Sequence, residues 1–271
     1  MILGIDIGGT TTDLACFQEG VLTHVISVSA NDPVTSAAGA LGKFISQSGK
    51  TLENIVAIAV TGVGAKAVGD KLFGIALHHV DEFSAIGLGG LYLSKLQETV
   101  VLSLGTGTAV VRAKGREATH LGGTGVGGGT LIGLSKYMLK VSDFDLLAEM
   151  AQKGDLAMID LRIGDIAQGA FGNLPENATA SNFGKHSDKA SNEDLALGII
   201  NLVCQTVGML AVFASKSSNI EKVVLTGKMT RLPQLSDIFE RLGAMFQIEF
   251  VIPAQAEYAT AIGAARSLVS A

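Results

Sequence analysis

Gly4-Ile5-Asp6-Ile7-Gly8-Gly9-Thr10-Thr11 lies at the start of the chain, and its reading decides the fold. An apolar strand over residues 2–7 carries a carboxylate near its end, runs into a Gly/Thr turn and leaves as a second strand over residues 12–17. Glycine has no Cβ, so backbone N–H groups in such a turn approach an anion closely. Thr hydroxyls donate to phosphate oxygens, and a carboxylate beside the turn holds Mg²⁺ through water. Asp6, Gly8, Gly9 and Thr10 are therefore candidates for phosphate and metal binding. The plainer reading is a β-hairpin turn in which Asp6 is a turn residue.

The pattern returns 97 residues later, as Leu102-Ser103-Leu104-Gly105-Thr106-Gly107-Thr108. Around the first turn, strand patterns at 21–28, 55–60 and 76–80 alternate with helical ones at 33–47, 65–72 and 82–95. Around the second, strands are expected at 99–104, 108–113, 118–121, 223–226 and 247–252. Helices are expected there at 130–139, 144–152, 195–214, 233–242 and 256–269. Alternating β and α elements imply a mainly parallel sheet with helical cover. The expectation is two similar α/β halves around a cleft, 1–98 and 99–271, with an insertion near 155–194. Gly105, Thr106, Gly107 and Thr108 would then form a second jaw for a polyphosphate.

Two more glycine features follow. Gly122-Gly123-Thr124-Gly125-Val126-Gly127-Gly128-Gly129-Thr130 leads into a predicted helix. A Gly-rich loop there presents unpaired N–H groups and the positive end of the dipole to an anion. Its spacing matches neither the P-loop nor the dinucleotide fingerprint. Leu225-Thr226-Gly227-Lys228 is a further strand-to-Gly junction, suited to passing under a base or ribose. Three Gly/Thr turns and an Asp suggest ATP with Mg²⁺. A phosphoryl transferase also needs a base for the acceptor hydroxyl. Glu82 follows a predicted strand at a helix start, as base or as a helix N-terminal carboxylate.

Composition narrows the classes. Gly numbers 34 of 271 residues, yet no three-residue period exists, so collagen is excluded. The chain is 48% hydrophobic with 4 Pro, which argues against disorder. Net charge is −5 without a basic run, so no nucleic-acid partner is expected. Cys16 and Cys204 give neither a disulfide framework nor metal spacing. The opening residues lack the basic segment of a secretion signal, so a cytoplasmic location is expected. Residues 195–214 carry no charge over a membrane-spanning length, but Asn201, Gln205 and Thr206 favour a buried or interface helix, and no membrane partner is expected.

These motifs resemble those of the sugar kinase, Hsp70 and actin superfamily, and within it the type II pantothenate kinases. The likeness rests on Gly4 to Thr10, Val80-Asp81-Glu82, Leu104 to Thr108 and the 122–130 loop. It also includes Met150-Ala151-Gln152-Lys153-Gly154-Asp155, Ala178-Thr179-Ala180-Ser181-Asn182-Phe183-Gly184 and Ala261-Ile262-Gly263-Ala264. The resemblance implies duplicated actin-like (ribonuclease H-like) halves, mixed sheets flanked by helices, around a central ATP cleft. It implies ATP-dependent phosphorylation of the primary hydroxyl of pantothenate, with Mg²⁺, by a homodimer whose interface helix spans about 192–215. By the same carry-over, Glu82 is the general base and Asp6 the Mg²⁺ and phosphate carboxylate. ATP contacts fall on Gly8, Gly9, Thr10, Gly105, Thr106, Gly107, Thr108, Gly125, Gly127, Gly128, Gly129 and Gly227. Substrate contacts fall on His120, Gly122, Thr179 and Ala180.

This sequence departs from the family pattern at three places. His120 stands where the family has a substrate-contacting Arg, Asp13 where it often has Lys, and Leu242 where a substrate-side Tyr aligns. Arg is a permanently charged fork, whereas His is mostly neutral near pH 7. Pantetheine or another small alcohol is therefore a second acceptor reading. Asp13 also resembles the first turn of activator ATPases, a switch reading without an acceptor. His24, His78, His79 and His186 show no ligand spacing, and His78 and His79 would face opposite sides of a strand.

Overall fold

The computed structural model describes residues 1–269 except 30, 168, 173 and 186, so His186 lies outside the described residues. Alternation in the first strand, β1 (Ile2–Ile7), decides how the first half is layered. Leu3, Ile5 and Ile7 are fully buried and pack with Ala37, Leu41 and Phe44 of helix α1 (Pro33–Ser48). Gly4 and Asp6 face the other way. Strands β2 (Thr11–Gln18) and β3 (Val21–Ser29) run antiparallel beside β1. Helix α1 begins where Asp32 accepts from the Thr35 N–H and Pro33 takes the first turn, and it stops at Gly49, φ +65°. Strand β4 (Ala57–Thr61) then pairs parallel to β1.

Helix α2 (Ala65–Val68) is shorter than the expected 65–72, because Gly69 takes φ +75° and turns the chain into a hairpin. The hairpin is β5 (Lys71–Leu72) with β6 (Ile75–His79), and β6 is parallel to β4. The sheet order is β3-β2-β1-β4-β6-β5. His78 and His79 are both exposed on β6.

After helix α3 (Glu82–Ser94) the same plan restarts with β7 (Glu98–Leu104), β8 (Thr108–Lys114) and β9 (Glu117–Thr124). Helices α4 (Gly128–Leu139) and α5 (Phe144–Ala151) follow. An excursion carries β10 (Leu161–Arg162), α6 (Ile163–Ala167) and β11 (Thr179–Ser181). Then come α7 (Asn192–Ser218), β12 (Lys222–Thr226), α8 (Pro233–Phe246), β13 (Glu249–Val251) and α9 (Ala259–Leu268). Residues 256–258, expected in the last helix, form a separate 3-10 turn. The order β13-β12-β7-β8-β9 repeats the first sheet: an antiparallel meander with two parallel strands on its other flank. The fold is the α/β duplication with mixed sheets that the resemblance implies; the mainly parallel sheet expected from the alternating pattern does not form, because each half opens with an antiparallel meander.

The helices between the sheets are exchanged. Helix α3 packs Phe83 and Ile86 against Val101, Val111 and Ala113 of the second sheet. Helix α9 packs Ala261, Ile262 and Ala265 against Ala15 and Phe17 of the first. Where they cross, a Cβ on Gly89 would overlap the Ala259 carbonyl, and one on Gly263 would overlap the Ala85 carbonyl. The outer face of the second sheet is covered by α7, capped by Ser191 and Asp194, with α4, α5 and α8. By length and composition α7 could cross a membrane, yet 61% of its apolar window is buried inside this fold.

Candidate functional site

Parallel strands deliver chemistry at their carboxyl ends. Asp6, near the end of β1, is in register with Thr61 at the end of β4 and with Asp13 across β2. Directly opposed residues share a face, so Asp6 and Asp13 point the same way, into the layer between the sheets. Glu82 enters from the next strand, β6. Its neighbour Asp81 caps α3 by accepting from the Ser84 N–H at 2.9 Å and hydroxyl at 3.0 Å, which fixes Glu82 at the first helical position. Both carboxyls are raised. Burial, then the charges of Asp13 and Glu82, push Asp6 up to about 7, and Lys228 works against the rise. Burial, then Asp81, pushes Glu82 up. A carboxylate so crowded by like charge favours a cation.

The two phosphate-turn candidates meet. Thr10 Oγ1 and Thr106 Oγ1 are 2.9 Å apart, one from each half. Below them lie two matching junctions. Thr61-Gly62 ends β4 and Thr226-Gly227 ends β12, with φ +89° and +91° at the glycines. A Cβ on Gly62 would strike Asp6 Oδ1 and Ile7, and one on Gly227 would strike Leu104. Both Thr hydroxyls are buried without a hydrogen-bond partner. Only the Gly227 junction was singled out from sequence; the signal for its mate was the repeat of Val60-Thr61-Gly62 in Leu225-Thr226-Gly227. The duplication is not chemically even. Ser103 takes the place of Asp6 on β7, and Ala256, after β13, that of Glu82 after β6.

The glycine run behaves differently from expectation. Gly122 and Gly123 belong to β9, paired with Val110 and Ala109, and Gly128 and Gly129 to the first turn of α4. The N–H groups of Gly128 and Gly129 donate to the Gly105 and Thr106 carbonyls at 2.9 and 2.8 Å, and that of Gly127 to Thr130 Oγ1 at 3.3 Å. The helix start is therefore satisfied by the second turn rather than left open to an anion. These glycines are there for contact: a Cβ on Gly127 would lie 2.8 Å from Gly107 Cα, and one on Gly128 3.0 Å from the Gly105 carbonyl. Gly123, Gly125 and Gly129 are exposed, and of these Gly125 is the one with open space around it.

The candidate acceptor residues divide between two places. His120, on β9, stacks on Phe83 with ring centroids 3.9 Å apart and planes 9° from parallel. It is thereby held beside Glu82, one residue from Phe83 in α3, with Gly122 two residues further along β9. Thr179 and Ala180 lie on β11 instead. Buried Asp160 organises that region, accepting from the Phe183 N–H at 2.9 Å, Asn201 Nδ2 at 2.7 Å and the Thr179 hydroxyl at 3.1 Å. Thr179 lines a cavity of about 610 Å³ with Arg162, Gln205, Arg241 and Leu242, and neither Glu82 nor His120 borders it.

Among the described residues no group of three or more His, Cys, Asp or Glu is placed to hold a metal ion. Mg²⁺ needs fewer protein ligands, because substrate phosphates and waters complete its shell. The raised carboxyl of Asp6 suits that role, and the unpartnered Thr61 and Thr226 hydroxyls suit a polar ligand in the cleft. Cys16 and Cys204 are buried in separate cores, with burial pushing Cys204 up to about 12.

Residues 98–239 match the family model named Fumble. A type II pantothenate kinase of Bacillus cereus (strain G9842) is 30% identical over 234 residues, 83% of this chain and 82% of that one. Solved structures share the fold. The activator of 2-hydroxyisocaproyl-CoA dehydratase from Clostridium difficile, with bound ADPNP, aligns with a TM-score of 0.70 at 20% identity, over 97% of this chain and 92% of the other. A ROK family glucokinase from Streptomyces griseus, in complex with glucose and AMPPNP, aligns with a TM-score of 0.63 at 11% identity, over 98% of both chains.

Proposed function

The chain belongs to the Fumble family of type II pantothenate kinases, phosphotransferases with an alcohol acceptor, and from that premise we propose that it phosphorylates the primary hydroxyl of pantothenate with MgATP. The observation that carries the reading is the pair of raised carboxyls, Asp6 on β1 and Glu82 just after β6, at the carboxyl ends of two parallel strands of one sheet that flank β4. MgATP supplies the transferable phosphoryl group with its charge partly neutralised. Asp6, ionised beside the cation, holds Mg²⁺ at the phosphates. Glu82 accepts the proton of the acceptor hydroxyl as its oxygen attacks, and its raised pKa brings it toward the working pH of a base. Thr10 and Thr106 with Gly8, Gly9, Gly105 and Gly107 line the phosphate path, Thr108, buried with its hydroxyl donating to the Val126 carbonyl at 2.8 Å, supports the second turn from behind, and Gly125 and Gly227 border the nucleotide. Gly127, Gly128 and Gly129 act through packing that sets the second turn in place. The halves 1–98 and 99–271 form the two walls of the cleft.

On the acceptor side, His120 and Gly122 face the acceptor beyond its reacting hydroxyl, while Thr179 lines the separate cavity and Ala180 is its neighbour on β11. The flat His120–Phe83 stack gives a wall without a permanent charge where the family has Arg, which supports pantetheine as a second acceptor. A cytoplasmic homodimer with neither nucleic-acid nor membrane partners completes the proposal. Exposed Phe213 on α7, with Tyr137 and Met138 on α4, offers the apolar surface such an interface needs. The test is direct. With MgATP, phosphorylation of pantothenate supports the reading and phosphorylation of pantetheine alone the second one. Acceptor-independent ATP hydrolysis without either product overturns both.

A further inference from the structure

Lys228 follows the Thr226-Gly227 junction, on the half opposite the paired carboxylates, and nothing above assigns it a role in the reaction. Its Nζ donates to Asp13 Oδ1 at 2.8 Å and to Ser27 Oγ at 3.2 Å, both on the first sheet. On its own half, Glu257 Oε2 is 3.7 Å away and the Tyr258 ring centroid 4.5 Å. Asp13 is buried, and the Lys228 side chain is 26% exposed. An ammonium has three donors. Asp13 and Ser27 take two, and Glu257 is too far to take the third as a hydrogen bond. Asp13 is the register partner of Asp6, so this ammonium stands on the face of the first sheet that carries Asp6.

We propose that Lys228 is a phosphate-binding residue of the nucleotide site, held by Asp13 and Ser27 and giving its remaining donor to a phosphate oxygen of ATP. Asp13 is then a positioning residue: its carboxylate aims the lysine and offsets the cost of burying it. Loss of the charge should weaken binding of phosphate-bearing nucleotides and leave the nucleoside unaffected. A tie between the halves, by contrast, would change both alike. The proposal rests on reading the cleft as a nucleotide site, and its test separates the two.

The test is calorimetric titration with ATP and with adenosine, both in Mg²⁺, on the full chain. Lys228→Met should weaken ATP by roughly 10- to 100-fold, the range of a charge-assisted hydrogen bond, and leave adenosine within about twofold. That variant strands a buried carboxylate and could unfold, so Lys228→Met/Asp13→Asn removes both charges and should show the same selective loss. Lys228→Met/Asp13→Lys supplies the ammonium from the opposite wall and should recover most of the ATP affinity. Equal weakening of ATP and adenosine in the neutral double variant, or no weakening, overturns the role of Lys228 alone. A wild-type chain that binds neither ligand overturns the nucleotide reading, and this inference with it.

Discussion

Gly89 and Gly263 are reciprocal: each lies against a backbone carbonyl of the other's helix, Gly89 on Ala259 and Gly263 on Ala85. At both places a Cβ would come closer to backbone than real Cβ atoms do. No side-chain rotation relieves that overlap, so a larger residue must push α3 and α9 apart. Gly89→Ala and Gly263→Ala should therefore each cost about 1–3 kcal/mol, the usual range for overpacking, and valine more. Urea unfolding of each variant measures it. Unchanged stability would mean the helices cross less tightly than described.

Glu82→Gln keeps the shape of the side chain and removes the base. Turnover should fall by about 10²–10⁴-fold, the usual contribution of general base catalysis, while ATP binds as before. Single-turnover assays beside nucleotide titration separate the two quantities. Near-wild-type turnover would assign Glu82 to the helix start alone.

Asp6 should make stability depend on pH. Its folded value of about 7 lies above the ordinary 3.8, so the folded state holds a proton that the unfolded chain releases. Stability of the ligand-free protein should then fall as pH rises from about 4 through 7 and level off above. Asp6→Asn should flatten that slope, and MgATP should raise the melting temperature more at pH 8 than at pH 6. Thermal melts across the range decide it.

Position 120 sets the acceptor. Replacing the stacked imidazole with a guanidinium adds a permanent charge facing the acceptor's far end. His120→Arg should improve affinity for pantothenate by roughly 10-fold or more, the scale of one charge-assisted hydrogen bond, and leave pantetheine little changed. Competition between the two acceptors under MgATP reads the ratio directly. No shift in that ratio would place the acceptor's carboxylate away from His120.

The layering was legible because it rests on short-range patterns. Alternation in residues 2–7, the Asp32-Pro33 start of α1 and the return of the Gly/Thr turn each act within a few residues. The partners of the glycines were not legible. Whether the N–H groups of Gly128 and Gly129 face a ligand or the carbonyls of Gly105 and Thr106 depends on how closely two turns dock, and no local pattern encodes that distance. Asp13 stands in the sequence only as a departure from the family's Lys for the same reason, since its counterion, Lys228, is 215 residues away in the chain. The resemblance assigns Thr179 and His120 to one site because it ranks residues by role, whereas the excursion that carries β11 places Thr179 in another cavity.

Each sheet has one face covered by a helix that the other half supplies, α9 on the first and α3 on the second. A fragment ending at residue 98 would keep α3 but lose both the sheet it covers and the helix that shields its own. The complementary fragment would suffer the mirror loss. Melting is thus expected as one cooperative event, with no separately stable piece, and a ligand that grips either wall should protect amides of both from hydrogen exchange together.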